Sequence, residues 1–143
     1  MSDRDPKVQM LSKVPIFSGL SEGQLRDITS LLTPVDVKAG TTLARQGDFG
    51  KEFFVIISGT ANVVRDGETL AKLGPGDVVG EISIIDGGQR TATVVAGTDM
   101  LVEVATHPEF AGLLDRAPEI AVHMLPTLAA LVRTYAGGAA HTH

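Results

Sequence analysis

No cysteine occurs among the 143 residues. Disulfides, thiolate catalysis and cysteine-ligated zinc are thereby excluded, and the composition is compatible with a reducing compartment. No apolar run approaches membrane-spanning length, and the opening residues Met-Ser-Asp-Arg-Asp-Pro-Lys are too charged for a signal peptide. A cytoplasmic protein with no membrane partner is expected. A basic surplus is missing as well: 12 Lys and Arg stand against 17 Asp and Glu, for a formal net charge of -5. Non-specific affinity for DNA comes from cations that neutralise phosphates, so no nucleic-acid surface is expected. Histidine is scarce on the stretches that read as strands. His107 and His123 fall in helical sequence and His141 and His143 in the tail, which argues against a metal-binding barrel with ligands on its strands. Ser58 and Ser83 have no histidine base close in sequence, so neither metal nor catalytic nucleophile is expected and the chain does not read as an enzyme.

What the chain has is glycine, 16 residues spaced between short apolar runs. Tight turns at that spacing point to an antiparallel β framework. Strands are expected at 35–38, 41–44, 52–57, 60–65, 69–73, 77–79, 91–96 and 100–104, with Asp66-Gly67 as a two-residue hairpin turn. The run Phe53-Phe54-Val55-Ile56-Ile57 is apolar on both faces and should cross the middle of the sheet structure. The fold class is therefore mainly β with flanking α: an eight-stranded antiparallel β-roll of jelly-roll type with N-terminal helices and two C-terminal helices. One domain spans residues 1–143, with N-terminal helical sequence at about 8–33, the roll at about 35–105, C-terminal helices at about 106–136 and a tail at 137–143.

Helix ends are signalled locally. Ser21 and Gln24 form one capping box, with Leu20 and Leu25 placed as a hydrophobic staple, and Thr106 and Glu109 form a second with Pro108 in the first turn. The first of these helices should run to about Leu32 and stop at Pro34. A short helix near Val8, Met10 and Leu11 should end at Pro15. The last helix starts at Pro118-Glu119 and carries an apolar stripe through Leu125, Leu128, Leu131 and Tyr135, with Pro126 bending it.

Polar chemistry concentrates in Gly80-Glu-Ile-Ser-Ile-Ile-Asp-Gly-Gly-Gln-Arg-Thr-Ala-Thr-Val94. A helical turn entered through Gly80 would aim the N–H groups of Ile82 and Ser83 at an anion, and Arg90 offers a two-pronged charge-assisted contact beside the Thr91 hydroxyl. A structural Glu81–Arg90 salt bridge is the plainer reading. It needs neither the glycine, nor the helical turn, nor the hydroxyl. Glu81 would repel a bare phosphate and is better used accepting hydrogen bonds from sugar hydroxyls, so a nucleotide with a free ribose hydroxyl fits the combination.

At these residues the chain resembles the cyclic-nucleotide-binding domain family, of the catabolite activator and cyclic-AMP-dependent kinase regulatory subunit type. The likeness runs from about residue 14 to 136, through Pro-Ile-Phe-Ser-Gly-Leu, Gly-Thr-Thr-Leu-Ala-Arg-Gln-Gly-Asp and Ile-Ser-Gly-Thr to Val-Gly-Glu-Ile-Ser-Ile-Ile and Arg-Thr-Ala-Thr-Val. The resemblance implies that Gly80 and Glu81 take the ribose 2′-hydroxyl and that Arg90, Thr91, Ser83 and Ile82 take the cyclic phosphate. It further implies that Val63, Leu70, Leu73 and Val79 form the apolar wall near base and sugar, with Leu131 and Tyr135 on a lid helix. Leu131, Tyr135 and Ala136 are less polar than the matching residues of the bacterial activator, so apolar covering of the base is expected. Cyclic AMP is the favoured ligand, with cyclic GMP the other candidate, and no further cofactor is expected. The output would be movement of the C-terminal helix toward an unknown protein effector, with homodimerisation through that helix as an option. No helix-turn-helix is expected to follow. The competing reading is an interaction or dimerisation module with this fold and no physiological nucleotide.

Overall fold

The computed structural model describes residues 6–80, 89–123 and 125–126. All eight expected strands are present: β1 (Thr33–Val37), β2 (Thr42–Ala44), β3 (Glu52–Ser58), β4 (Ala61–Arg65), β5 (Glu68–Leu73), β6 (Val78–Val79), β7 (Thr93–Ala96) and β8 (Met100–Thr106). They form two antiparallel four-stranded sheets, in the orders β1-β8-β3-β6 and β2-β7-β4-β5. The chain switches between sheets repeatedly, which makes the pair a roll. Helix α1 (Pro6–Ser12), a 3-10 turn (Pro15–Phe17), α2 (Glu22–Leu31) and α3 (His107–Arg116) complete the named elements. A further helix, α4, is described at 119–123 and 125–126.

Strand β3 explains how the layers stack. Successive side chains of a strand point to opposite faces, and in β3 both faces are apolar. Phe53, Val55 and Ile57 join a cluster with Leu11, Phe17, Leu25, Ile28, Phe110, Leu113 and Ile120, all buried beneath the helices. Phe54 and Ile56 point the other way, into a second cluster with Val79, Ala61, Val94, Ala96, Val102 and Val104 between the sheets. Phe53 and Phe110 touch with ring centroids 4.8 Å apart. The expectation that this run crosses the middle of the roll holds, since β3 is flanked by β8 and β6.

Strand β8 alternates in the same way, with one exception. Met100, Val102 and Val104 face the inter-sheet core and Ala105 faces the helices. Glu103 shares the parity of Ala105 and is only 3% exposed. A buried carboxylate needs a partner. Lys7 of α1 supplies it, with Nζ 3.0 Å from Glu103 Oε1. The same ammonium donates to the carbonyls of Thr29 (3.2 Å) and Leu32 (3.5 Å) at the C-terminal end of α2. That is the end at which a cation is favoured by unsatisfied carbonyls.

Both expected capping boxes form, at Ser21/Gln24 and Thr106/Glu109. Leu20 and Leu25 are both buried, as a staple requires. Three boundaries differ from expectation. Helix α2 ends at Leu31, and Pro34 lies inside β1, which begins at Thr33. Among the described residues this strand pairs only with β8, so a residue without an N–H is tolerated at the open edge. Pro15 begins the 3-10 turn while α1 ends earlier, at Ser12. Strand β7 begins at Thr93, because residues 91 and 92 form a bend. The expected positions of Leu128, Leu131 and Tyr135 on the last helix lie outside the described residues.

Candidate functional site

Arg90 is 8% exposed, and with Glu103 it makes up the buried charged residues among those described. Its position is set from several sides. Arg90 N–H donates to the Asp48 carbonyl at 2.6 Å, and Gly47 N–H donates to the Arg90 carbonyl at 2.9 Å. The side chain runs inward to β3, where Nη2 donates to the Glu52 carbonyl at 2.8 Å. Its Cζ lies 6.0 Å from the centre of the Phe54 ring, at the outer reach of a cation–π contact.

Gly80 closes the other side of this seat. It follows β6, which pairs with β3 through Val79 opposite Phe54, and its φ is +91°. A Cβ at Gly80 would fall on Arg90 Nη1 and stand 2.7 Å from the Glu52 carbonyl oxygen. Only a glycine lets β6 end this close to the guanidinium while holding a positive φ. Gly80 and Arg90, ten positions apart within the polar stretch, are thus brought together.

The other residues named from sequence fall as follows. Thr91 is exposed, next to Arg90. Val79 is buried in the inter-sheet core, and Val63 and Leu73 pack against that core as partly buried residues. Leu70 is apart from them: it is 49% exposed, on an edge strand whose residues 68–72 are all exposed. Glu81, Ile82 and Ser83, and the lid residues Leu131 and Tyr135, lie outside the described residues. Sequence reasoning missed the Glu52 carbonyl as the seat of the arginine. A backbone acceptor leaves no mark on residue type.

Among the described residues no group of His, Cys, Asp or Glu could hold a metal ion, and no helix is long and apolar enough to cross a membrane.

The class defined by this architecture is an antiparallel β-roll with helices packed on one sheet and a buried arginine fixed against β3 and β6. Comparison with known proteins narrows it. The family model for the cyclic nucleotide-binding domain matches residues 34–117. The cAMP-dependent protein kinase regulatory subunit of Schizosaccharomyces pombe is 37% identical over 112 residues, covering 78% of this chain and 27% of that protein. A CRP-like cAMP-activated global transcriptional regulator of Mycobacterium tuberculosis is 31% identical over 130 residues, covering 87% of this chain and 58% of the regulator. The crystal structure of the Thermus thermophilus catabolite activator protein superposes with a TM-score of 0.80 at 28% identity, covering 90% of this chain and 62% of that one. The chain belongs to the cyclic nucleotide-binding domain family. It spans between about a quarter and three fifths of the length of these relatives.

Proposed function

We propose that this chain is a cyclic nucleotide sensor whose ligand is cyclic AMP, with cyclic GMP the other candidate, and that it is not itself an enzyme. The observation that carries the reading is Arg90, a guanidinium buried at the edge of a roll of this family and fixed by the Glu52 carbonyl and Gly80. The preference for cyclic AMP is supported by the relatives' names, a cAMP-dependent kinase subunit and a cAMP-activated regulator. The cyclic phosphate is assigned to Arg90, Thr91, Ser83 and Ile82, the ribose to Gly80 and Glu81, and the base to the wall of Val63, Leu70, Leu73 and Val79 under a lid bearing Leu131 and Tyr135.

The chemistry follows from the donors. Guanidinium is a planar fork of five N–H groups, and it prefers a phosphate to a neutral carbonyl because opposite full charges attract and two parallel N–H groups can meet two phosphate oxygens. An incoming phosphate therefore competes with the Glu52 carbonyl for Arg90. Binding would favour one position of the C-terminal helix to the extent that the ligand binds that arrangement more tightly. The helix position is then read by a protein effector, in the cytoplasm, with pairing of two copies through that helix as a second use of its apolar stripe.

Isothermal titration with cyclic AMP and cyclic GMP tests the reading directly. Arg90→Ala should weaken binding by about 2–5 kcal/mol, at least tens-fold, as losses of buried charge pairs do. Because a ligand that binds only the native state raises the unfolding midpoint by mass action, wild type should also gain thermal stability in excess nucleotide. Equal affinities of wild type and Arg90→Ala would refute the assignment of the arginine, and no binding by wild type at millimolar nucleotide would refute the sensor.

A further inference from the structure

The segment that carries Arg90, just before β7, is also held by residues of other elements. Arg65, at the end of β4, donates from Nε to the Thr91 carbonyl at 3.1 Å. The next residue, Asp66, forms the β4–β5 turn with Gly67, and both have positive φ, 52° and 82°. That is the backbone of a tight two-residue hairpin, whose twist matches the flanking strands. Across from the turn stands Gln46. Its Nε2 donates to Asp66 Oδ1 at 3.0 Å, and its Oε1 accepts from Asp66 N–H at 3.2 Å. Its backbone N–H donates to Thr93 Oγ1 at 2.9 Å. Gly47, the next residue, holds the Arg90 carbonyl.

These bonds lie at the surface, where each contributes about 0.5–1.5 kcal/mol at most and also costs the freedom of the side chains it orders. Their common feature is convergence. Gln46 N–H reaches the Thr93 hydroxyl and Arg65 the Thr91 carbonyl, while the Gln46 amide holds the hairpin tip beside Arg65.

We infer that Gln46 is a positioning residue that acts through Asp66 and Arg65 to hold the Arg90–Thr91 segment in register for an anionic ligand, an inference that rests on the cyclic-nucleotide reading above. Gln46 does not touch the guanidinium. It fixes the hairpin tip, the tip places Arg65, and Arg65 holds the Thr91 carbonyl. Without the clasp, the Arg90 backbone keeps its bonds to residues 47 and 48 but loses support on the Thr91 side, and a two-pronged contact depends on that geometry.

Gln46→Ala tests this cleanly because it changes no charge, so altered long-range attraction cannot mimic the effect. By calorimetric titration with cyclic AMP, Gln46→Ala should bind about three- to tenfold more weakly, the equivalent of losing about one hydrogen bond. The ligand-free unfolding midpoint should stay within about 3 °C of wild type, as for other surface changes. Asp66→Asn keeps an Oδ1 acceptor and tolerates the left-handed backbone, so it should bind within about twofold of wild type. In an Arg90→Lys background, where the two-pronged contact is already gone, Gln46→Ala should cause no further loss, since residues acting as one unit are not additive. A purely structural role would give the same loss in both backgrounds, and that result overturns the inference, as does wild-type affinity for Gln46→Ala. If wild type itself binds no cyclic nucleotide, the functional reading falls and this inference falls with it.

Discussion

Gly80→Ala isolates what the seat of Arg90 is worth. The substitution has two costs, and the structure contains a control that separates them. The first is backbone strain, because an L-residue at φ +91° loses about 1–2 kcal/mol relative to glycine. Gly76 has the same φ of +91°, but a Cβ there meets nothing within 4 Å, so Gly76→Ala reports this term alone. The second cost is specific to Gly80, where the new methyl would collide with the Arg90 guanidinium and approach the Glu52 carbonyl to 2.7 Å. The carbonyl belongs to the central strand β3 and has little room to yield. The guanidinium can move, and by moving it gives up its bond to that carbonyl. Overpacking of this kind costs about 1–3 kcal/mol, for a total near 2–5 kcal/mol out of the 5–15 kcal/mol that a domain typically has, roughly. Urea unfolding of the ligand-free proteins should therefore place Gly76→Ala about 1–2 kcal/mol below wild type and Gly80→Ala at least about 1 kcal/mol lower still. Titration with cyclic AMP should show Gly76→Ala unchanged and Gly80→Ala weakened at least about tenfold, because its arginine has left its place. If the two alanine variants unfold together and Gly80→Ala keeps wild-type affinity, the contact between Gly80 and Arg90 does not hold the guanidinium and the reasoning fails.

Two further tests address the helical layer. Lys7→Met leaves the buried Glu103 carboxylate without its cation and should destabilise by about 2–3 kcal/mol, less than a fully buried pair because the Lys7 side chain is partly exposed. Lys7→Met combined with Glu103→Met should recover most of that loss, which chemical denaturation checks; strictly additive losses would contradict the pairing. Glu119, at the start of α4, has its carboxyl held below the ordinary carboxylate range, chiefly by a backbone hydrogen bond at its own position, then by the Gln24 side chain, with a smaller electrostatic contribution from His123. A lowered folded pKa means that this stabilisation is complete above the unfolded value and is lost as pH falls through the folded one. The melting-point gap between wild type and Glu119→Gln should thus be constant near neutrality and close at acidic pH; a gap that widens on acidification would contradict the sign.

What the sequence made legible was local. Ser21-x-x-Gln24 and Thr106-x-x-Glu109 are reciprocal bonds across three residues, so residue type and spacing carry the whole signal. The Asp66-Gly67 turn and the two apolar faces of Phe53–Ile57 are read in the same way. Helix α2 ends before Pro34 as expected, but the strand after it begins two residues early and includes the proline, because the sheet order makes β1 an edge strand that accepts it. The long-range bonds were hidden in varying degree. Glu103 was detectable in principle, as a single carboxylate inside the apolar run Met100–Thr106, but its partner Lys7 lies 96 positions away. The Glu52 carbonyl and the Arg65–Thr91 bond had no signature at all. Of the expected site, Gly80 and Arg90 are in contact, Val63, Leu73 and Val79 lie in or against one core, and Leu70 stands outside it on the exposed β5 edge.

The same strand that seats the arginine also carries the helices. Glu52, whose carbonyl accepts from Arg90, is the first residue of β3 and pairs with Thr106 at the end of β8. Thr106 is the N-cap of α3, and His107 N–H donates to the carbonyl of Lys51, the residue before Glu52. From the guanidinium to the first turn of α3 there are therefore two hydrogen bonds, one from His107 N–H to the Lys51 carbonyl and one from the Arg90 side chain to the carbonyl of Glu52. Phe53, the next residue, presses its ring on Phe110 of the same helix. A ligand that drew Arg90 from the Glu52 carbonyl would act one residue from Lys51, whose carbonyl accepts from the first turn of α3. Contiguity alone does not make a switch, because the ligand must also prefer one of two arrangements of that junction. The architecture supplies the junction, and differential affinity for its two arrangements is what would turn nucleotide binding into helix movement.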